Sequence, residues 1–357
     1  MSDFLSKKIT RLSFVMSLLV VLIHSFNYFL YSPSSASVLT IALQRFLSDE
    51  FPAFAVPLFF TISGFLFFYS TNNFSQIFKK MKKRVFTILI PFLIWNLIYT
   101  FVTFAIYLIP AFNKFIIYTD SLTAINVLSG IFLNKYSPHL WYVRTLCILV
   151  ILTPLFFLIM KNKIAKYITL GLLFIICAIT PFNFIQTPRW VEEYFKLSYW
   201  FYFFLGAVLS DCKYIIEAKQ QKKIVSIISF AVLILLAVLL SFANSYFRNF
   251  ANIITIFMIF AAWFASDLIV TEKTFTIEKT SFFIYCFHYL PQLFLKKLSY
   301  ALFPKTNFYI LFNYFTINTL VTLIIVYIAI VILNKFFSTI YAILSGGRVL
   351  DNQYTKK

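Results

Sequence analysis

Residues 12–31, LSFVMSLLVVLIHSFNYFLY, run for twenty positions without an Asp, Glu, Lys or Arg. A helix needs about 20 apolar residues to cross the hydrocarbon core of a bilayer, so this run reads as a transmembrane helix. Lys7, Lys8 and Arg11 precede it, as basic residues precede the apolar part of a secretory signal peptide. No clear small-x-small cleavage site follows, and further apolar runs do, which favours a retained first helix. Similar windows fall at 52–70, 86–109, 139–160, 165–181, 195–211, 224–242, 250–270, 281–301 and 312–337. The expected fold is all-α and membrane-embedded, a bundle of about ten transmembrane helices. Pro91, Pro154 and Pro291 lie in or near spans, where proline kinks a helix.

Composition agrees. Of 357 residues, 61% are hydrophobic and 12% charged, with a mean hydropathy of +0.86. A soluble domain is nearer half apolar and a quarter charged. Aromatic residues reach 21%, with 48 Phe. Phe suits a lipid-facing surface, and Tyr and Trp suit the interface. The net charge of +19 sits in short loops between apolar runs, so membrane topology explains it better than nucleic-acid binding. Cys147, Cys177, Cys212 and Cys286 lie in or beside apolar runs and read as packing residues without a disulfide framework.

Orientation follows from counting. With a cytoplasmic N-terminus, 21 of the 31 Lys and Arg fall on inner segments and nine on outer ones, and Arg144 lies within a span. That bias places both termini in the cytoplasm. No loop is long enough for a soluble domain, so residues 1–357 are expected to form a single membrane-embedded domain. The longest loop, 110–138, has room for a short amphipathic segment.

The histidines are His24, His139 and His288, and on this topology all three fall between the bilayer middle and the outer face. Ionisable groups at that depth are costly and usually face a cavity or a partner. They either bond between helices or do chemistry, since histidine exchanges protons near neutral pH. Arg144 either snorkels outward, binds an anionic group, or fixes the bundle through Asp49 or Glu50. The run Lys79-Lys80-Met81-Lys82-Lys83-Arg84 is a topogenic anchor beside anionic lipid, a cytoplasmic phosphate-binding site, or both. No Ser-His-Asp or metal-ligand spacing is visible, so spacing alone names no reaction and no metal is expected.

Four stretches carry a family resemblance. They are RLSFVMSLLVVLIHS at 11–25, VPLFFTISGFLF at 56–67, HLWYVRTLCILVILTP at 139–154 and SFFIYCFH at 281–288. Phe204-Leu205-Gly206 adds a fifth, shorter match. In this order they resemble acyltransferase family 3, integral-membrane acyltransferases that include many bacterial surface-polysaccharide O-acetyltransferases. The resemblance implies ten helices with cytoplasmic termini in the bacterial cytoplasmic membrane. It implies an acyl donor, usually acetyl-CoA, entering from the cytoplasm. The implied acceptor is a hydroxyl of an envelope glycan or its lipid-linked precursor. His24 becomes the catalytic residue, the base that activates that hydroxyl. His139, Trp141, Arg144 and His288 become the expected substrate-binding set.

The inner rim, Arg11, Lys82, Lys83 and Arg84, is the expected site for the phosphates of CoA. From Arg11 to His24 is about 20 Å of helix at 1.5 Å per residue, a distance a pantetheine arm can bridge. Two positions depart from the family pattern. Ser13 and Thr87 stand where the family usually has arginine. An alternative is therefore a catalytically inactive relative serving as a polysaccharide exporter subunit. A generic small-molecule transporter ranks third, since no convincing inverted repeat is apparent.

Overall fold

The structure, a computed structural model, describes residues 1–30, 36–109, 122–179, 193–217, 220–246, 250–348 and 350. Among these, every regular element is helical. The principal helices are α1 (Asp3–Ile23), α2 (Val38–Arg45), α3 (Ala55–Phe68), α4 (Phe74–Arg84), α5 (Ile90–Tyr107), α6 (Ala124–Leu133), α7 (Trp141–Ile151), α8 (Thr153–Lys161) and α9 (Lys163–Ile179). They continue as α10 (Trp200–Leu209), α11 (Lys223–Tyr246), α12 (Ala251–Ala265), α13 (Ser281–Phe287), α14 (Tyr289–Leu302), α15 (Asn307–Phe312), α16 (Thr322–Phe336) and α17 (Ser338–Leu344). Residues 110–121 of the expected outer loop, and Lys114, Arg189, Lys219, Arg248, Lys356 and Lys357 of the charge count, lie outside the described residues.

Among the described residues, five helical stretches are long and apolar enough to cross a membrane: Val38–Phe68, Phe74–Tyr107, Lys223–Ala243, Ala251–Leu268 and Asn307–Phe336. A sixth, Pro138–Ile151 with Thr153–Lys161, bends by 54°. The bend has a local cause. Pro154 has no N–H for the Val150 carbonyl, and the Thr153 hydroxyl donates to that carbonyl instead, at 2.7 Å. The other four expected windows are helical but shorter or more charged. α1 stops at Ile23 and carries Lys7, Lys8 and Arg11, α9 has 17 residues, α10 has 10, and the window at 281–301 is divided between α13 and α14. Exposed Leu, Ile, Val and Phe side chains cover α11 and α16, as a lipid-facing surface requires. All four cysteines are free.

The chain divides into two compact units. The first comprises Met1–Met16, Glu50–Arg84 and Thr145–Thr274. Its centre is the pair α3 and α10, where two glycines seat against the opposite backbone. A Cβ on Gly64 would lie 2.0 Å from the Phe203 carbonyl oxygen, and one on Gly206 would lie 1.9 Å from that of Thr61. Between apolar helices in lipid, such small residues permit the contact that burial alone cannot drive. The C-terminal end of α3 is capped by Lys80, whose ammonium donates to the carbonyls of Phe67 and Tyr69 and to the Thr71 hydroxyl, each at 2.7 Å. One lysine of the basic run is thus structural. α4 buries Ile77 and exposes Lys79, Lys82 and Lys83.

The second unit comprises Ser17–Asp49, Val85–Arg144 and Phe275–Lys357. Its buried interior is unusually polar for a membrane bundle: Ser25, Asn27, Gln44, Asn96, His139, His288, Gln292, Asn313 and Asn318 are each at most 2% exposed. Asn27 and Gln44 exchange amide hydrogen bonds, the Gln44 side chain donating to Asn27 Oδ1 at 2.8 Å and accepting from the Asn27 backbone N–H at 3.1 Å. Leaving buried polar groups unpaired in hydrocarbon is costly, and this exchange satisfies both side chains in part.

Candidate functional site

The second unit's polar interior is organised by a helix break. In an α-helix each carbonyl accepts from the N–H four residues on. Pro291 has none to give to Phe287, so the helix breaks at His288 between α13 and α14. Backbone pairing holds on either side, from the His288 N–H to the Ile284 carbonyl at 3.1 Å and from Gln292 N–H to the His288 carbonyl at 3.2 Å. Around the break, carbonyls accept from side chains. His288 Nδ1 donates to the carbonyls of Ile284 and Tyr285 at 3.0 and 2.8 Å. His139 Nε2 donates to the Cys286 carbonyl at 3.1 Å. The Tyr99 hydroxyl donates to the same carbonyl at 2.9 Å and lies 3.4 Å from that of Phe287.

These bonds assign the ring protons. A carbonyl oxygen only accepts, so the nitrogens facing it carry hydrogen. In the neutral rings the opposite nitrogens, His139 Nδ1 and His288 Nε2, are then bare lone pairs. Both are buried and without a hydrogen-bond partner among the described residues.

The three histidines meet here. The ring of His24 lies 5.4 Å from that of His288 and 6.4 Å from that of His139, and the last two are 5.4 Å apart. Tyr289 stacks on His139 at 4.6 Å and 23° and meets His24 edge-on at 5.5 Å. Tyr99 meets His139 edge-on at 5.0 Å, and the Tyr285 hydroxyl donates to the His139 carbonyl. His24 is the partly exposed corner of the triangle, and its imidazole forms no hydrogen bond among the described residues.

His24 is placed by the end of α1. The last carbonyls of a helix lack partners within it, and here polar side chains supply them. Val21 accepts from the Ser25 hydroxyl at 2.8 Å and from Gln292 Nε2 at 3.1 Å, and Leu22 accepts from the Ser48 hydroxyl at 3.1 Å. Gln292 Nε2 also reaches Ser25 Oγ at 2.8 Å and the Asn318 carbonyl at 2.9 Å, while Asn318 Nδ2 donates to the Ser25 carbonyl at 3.0 Å. Gln292 sits four residues beyond His288, just past Pro291, so one segment carries His288 and holds the end of α1 that bears His24.

Of the residues expected at the site, His24, His139 and His288 converge. Trp141 opens α7 just beyond His139 and is half-buried. Arg144 is 9% exposed, so it does not snorkel. Its guanidinium donates to the Leu133 carbonyl at 3.0 Å and to Asn134 Oδ1 at 2.6 Å, closing α6 where Asn134 is left-handed at φ 49°. Arg11, Lys82, Lys83 and Arg84 belong to the first unit. The Arg11 guanidinium is engaged with the Ile269 carbonyl, the Thr271 hydroxyl at 2.6 Å and the Lys273 carbonyl at 2.7 Å. Its neighbour Lys8 pairs with Asp267 at 2.5 Å, both buried. Sequence reasoning missed Tyr99, Tyr285, Tyr289, Gln292 and Asn318. The signal available was the amide or phenol inside an apolar span, which lipid tolerates only when paired.

The sequence profile of a family described as an acyltransferase domain matches residues 14–334, which takes in all three histidines and most of each unit. No curated protein and no solved structure gives a match. With nine-tenths of its length under that profile, the chain belongs to the acyltransferase 3 family.

Proposed function

We propose that the chain is a membrane O-acyltransferase moving an acyl group, acetyl in the first instance, from cytoplasmic acyl-CoA to a hydroxyl of a surface polysaccharide or its lipid-linked precursor. The convergence of three distant histidines inside the matched region carries this reading. In it His24 is the base. Its free ring nitrogen takes the hydroxyl proton as the oxygen attacks the thioester carbon. The carbon–sulfur bond then breaks, and the thiolate of CoA recovers that proton from the imidazolium. His139, Trp141, Arg144 and His288 form the acceptor side. Arg11, Lys82, Lys83 and Arg84 form the donor side, where cations suit the CoA phosphates. About ten helices with both termini in the cytoplasm complete the reading, in one membrane-embedded domain of the bacterial cytoplasmic membrane; the charge asymmetry supports it.

His24→Ala tests it. Acyl ester on the glycan is expected to vanish while the protein stays in the membrane. Unchanged glycan acetylation overturns the reading.

A second reading, an inactive relative serving as an exporter subunit, is favoured by one observation. Ser13 and Thr87 lack the family's arginines, and Arg11 is engaged with the 269–273 segment. Binding of acetyl-CoA by purified protein separates the two, because an exporter subunit binds none.

A further inference from the structure

The carbonyls of one short segment, residues 284–286, fix both His139 and His288, and they fix them in opposite tautomers. His288 carries its hydrogen on Nδ1, held by Ile284 and Tyr285, and His139 carries its hydrogen on Nε2, held by Cys286. Neither ring has a hydrogen left to offer on its other nitrogen. The two rings are 5.4 Å apart, 2% and 0% exposed, and each has one bare nitrogen that nothing among the described residues satisfies. A buried acceptor left unpaired costs about 1 to 3 kcal/mol. Two such acceptors beside the partly exposed His24 suit a ligand that brings hydrogens to them.

We infer that His139 Nδ1 and His288 Nε2 are a preset pair of hydrogen-bond acceptors for hydroxyl groups of a polyol, flanking the hydroxyl that meets His24. This rests on the proposed acyl transfer for its purpose, though not for its geometry. The pair selects by chemistry. A sugar carries several O–H donors, the groups such nitrogens accept from at about 2.8 Å. A carboxylate, a phosphate dianion or an ether brings only lone pairs and meets lone pairs. The two residues are therefore positioning residues. They orient the acceptor and leave proton removal to His24, the ring with no hydrogen bond of its own. Tyr289, stacked on His139, and Tyr99, edge-on to it, keep that ring from turning to present its N–H instead.

The chain's three histidines are all in this site, so ¹⁵N-histidine labelling of the full chain in lipid nanodiscs reads the site alone. Shifts of ring nitrogens distinguish the two neutral tautomers. The expected spectrum holds one ring protonated on Nδ1, lost in His288→Phe, and one protonated on Nε2, lost in His139→Phe. Methyl glucoside, methyl galactoside and methyl mannoside, added separately, are expected to shift the two bare nitrogens in at least one case; their fully O-methylated forms are expected to shift neither. Equal tautomers, or bare nitrogens unmoved by all three glycosides, overturn the inference. In acyl-transfer assays His288→Phe is expected to raise the acceptor KM about tenfold or more with the donor KM unchanged, and His288→Gln, which restores an acceptor oxygen, to recover most of it. Equal loss in kcat for both variants, with no KM change, also overturns it. Glycoside shifts in a protein that transfers no acyl group would sink the acyltransferase reading and leave the polyol site standing. Transfer without shifts would do the reverse.

Discussion

His139 Nε2 donates to the carbonyl of Cys286 over 3.1 Å, although 147 positions separate them in sequence. The bond exists because a proline five residues further on breaks a helix. In an unbroken helix that carbonyl would also accept from its own backbone, and His139 would have to share it. The orientation of a side chain on one helix is therefore set by an imino acid on another.

Pro291→Ala restores the N–H that Phe287 lacks. The helix is expected to close over His288, and the carbonyls that hold His139 and Tyr99 are drawn back into it. Stability in detergent should hold or rise, because proline within a helix costs about 3 kcal/mol. Acyl transfer should fall by roughly 10- to 100-fold, the usual effect of misplacing reacting groups by about an ångström. Thermal melts and turnover measured on the same preparation check both signs.

Gly206→Ala places a methyl group 1.9 Å from the Thr61 carbonyl oxygen. That atom is backbone and cannot swing aside. Separation of α3 from α10 is expected to cost about 1 to 3 kcal/mol or more. A lowered melting temperature checks it, and Gly171→Ala, where a Cβ meets nothing within 4 Å, is the matched control.

Gln292→Leu removes the amide that serves Val21, Ser25 and Asn318. The Val21 carbonyl keeps Ser25, so the loss is partial. Interhelical hydrogen bonds in membranes are worth about 0.6 to 1.7 kcal/mol each. A destabilisation of about 1 to 2 kcal/mol is expected, with a larger proportional loss of activity because the end of α1 carries His24. Gln292→Asn, too short to reach all three groups, should not rescue it.

At the first unit's edge, Glu217 accepts from the Tyr69 hydroxyl at 2.5 Å and from the Ser2 N–H at 3.0 Å, with the terminal ammonium at 3.5 Å. The Tyr69 hydrogen bond, helped by the Ser2 amide and the ammonium, holds the Glu217 carboxyl below its ordinary range. A lowered folded-state pKa means the contact contributes fully above the ordinary glutamate value, near 4.3, and is lost as pH falls through the lowered one. The ¹⁵N shift of the Ser2 amide should therefore titrate below pH of about 4.3. In Tyr69→Phe the inflection should move up toward the ordinary value. No movement would remove Tyr69 as the cause.

Much of this was legible in the sequence, and the boundary has a physical basis. Hydrocarbon permits only backbone that satisfies itself, so apolar runs announce helices, and the expected windows all contain helix. Pro154 and Pro291 announced breaks, and both are breaks. His24, deep in an apolar run, announced a partner, and it meets His139 and His288. Pairing was not legible. Around α3 the interior is as apolar as lipid, so that helix shows no polar stripe to say which face is buried. Gly64 and Gly206 mark that face only once each is known to meet the backbone of the opposite helix. Arg144 and Lys80 hold backbone acceptors that the sequence did not announce. A cation near a span end suggests an anion or a headgroup, whereas the carbonyls at the ends of α6 and α3 are acceptors that composition does not display.

The glycine seats of α3 and α10 also set an order of assembly. At synthesis rates of about 5 to 20 residues per second, the roughly 140 residues between Gly64 and Gly206 occupy the ribosome for about 7 to 30 s. Through that interval α3 exists without the helix that fills its notch. A partner from elsewhere, such as another chain's small-residue face, competes for the notch until α10 arrives. The first unit can reach its native contacts only late in translation, and yield at low temperature or under slowed synthesis becomes a property of one pair of hydrogen atoms where methyl groups would have stood.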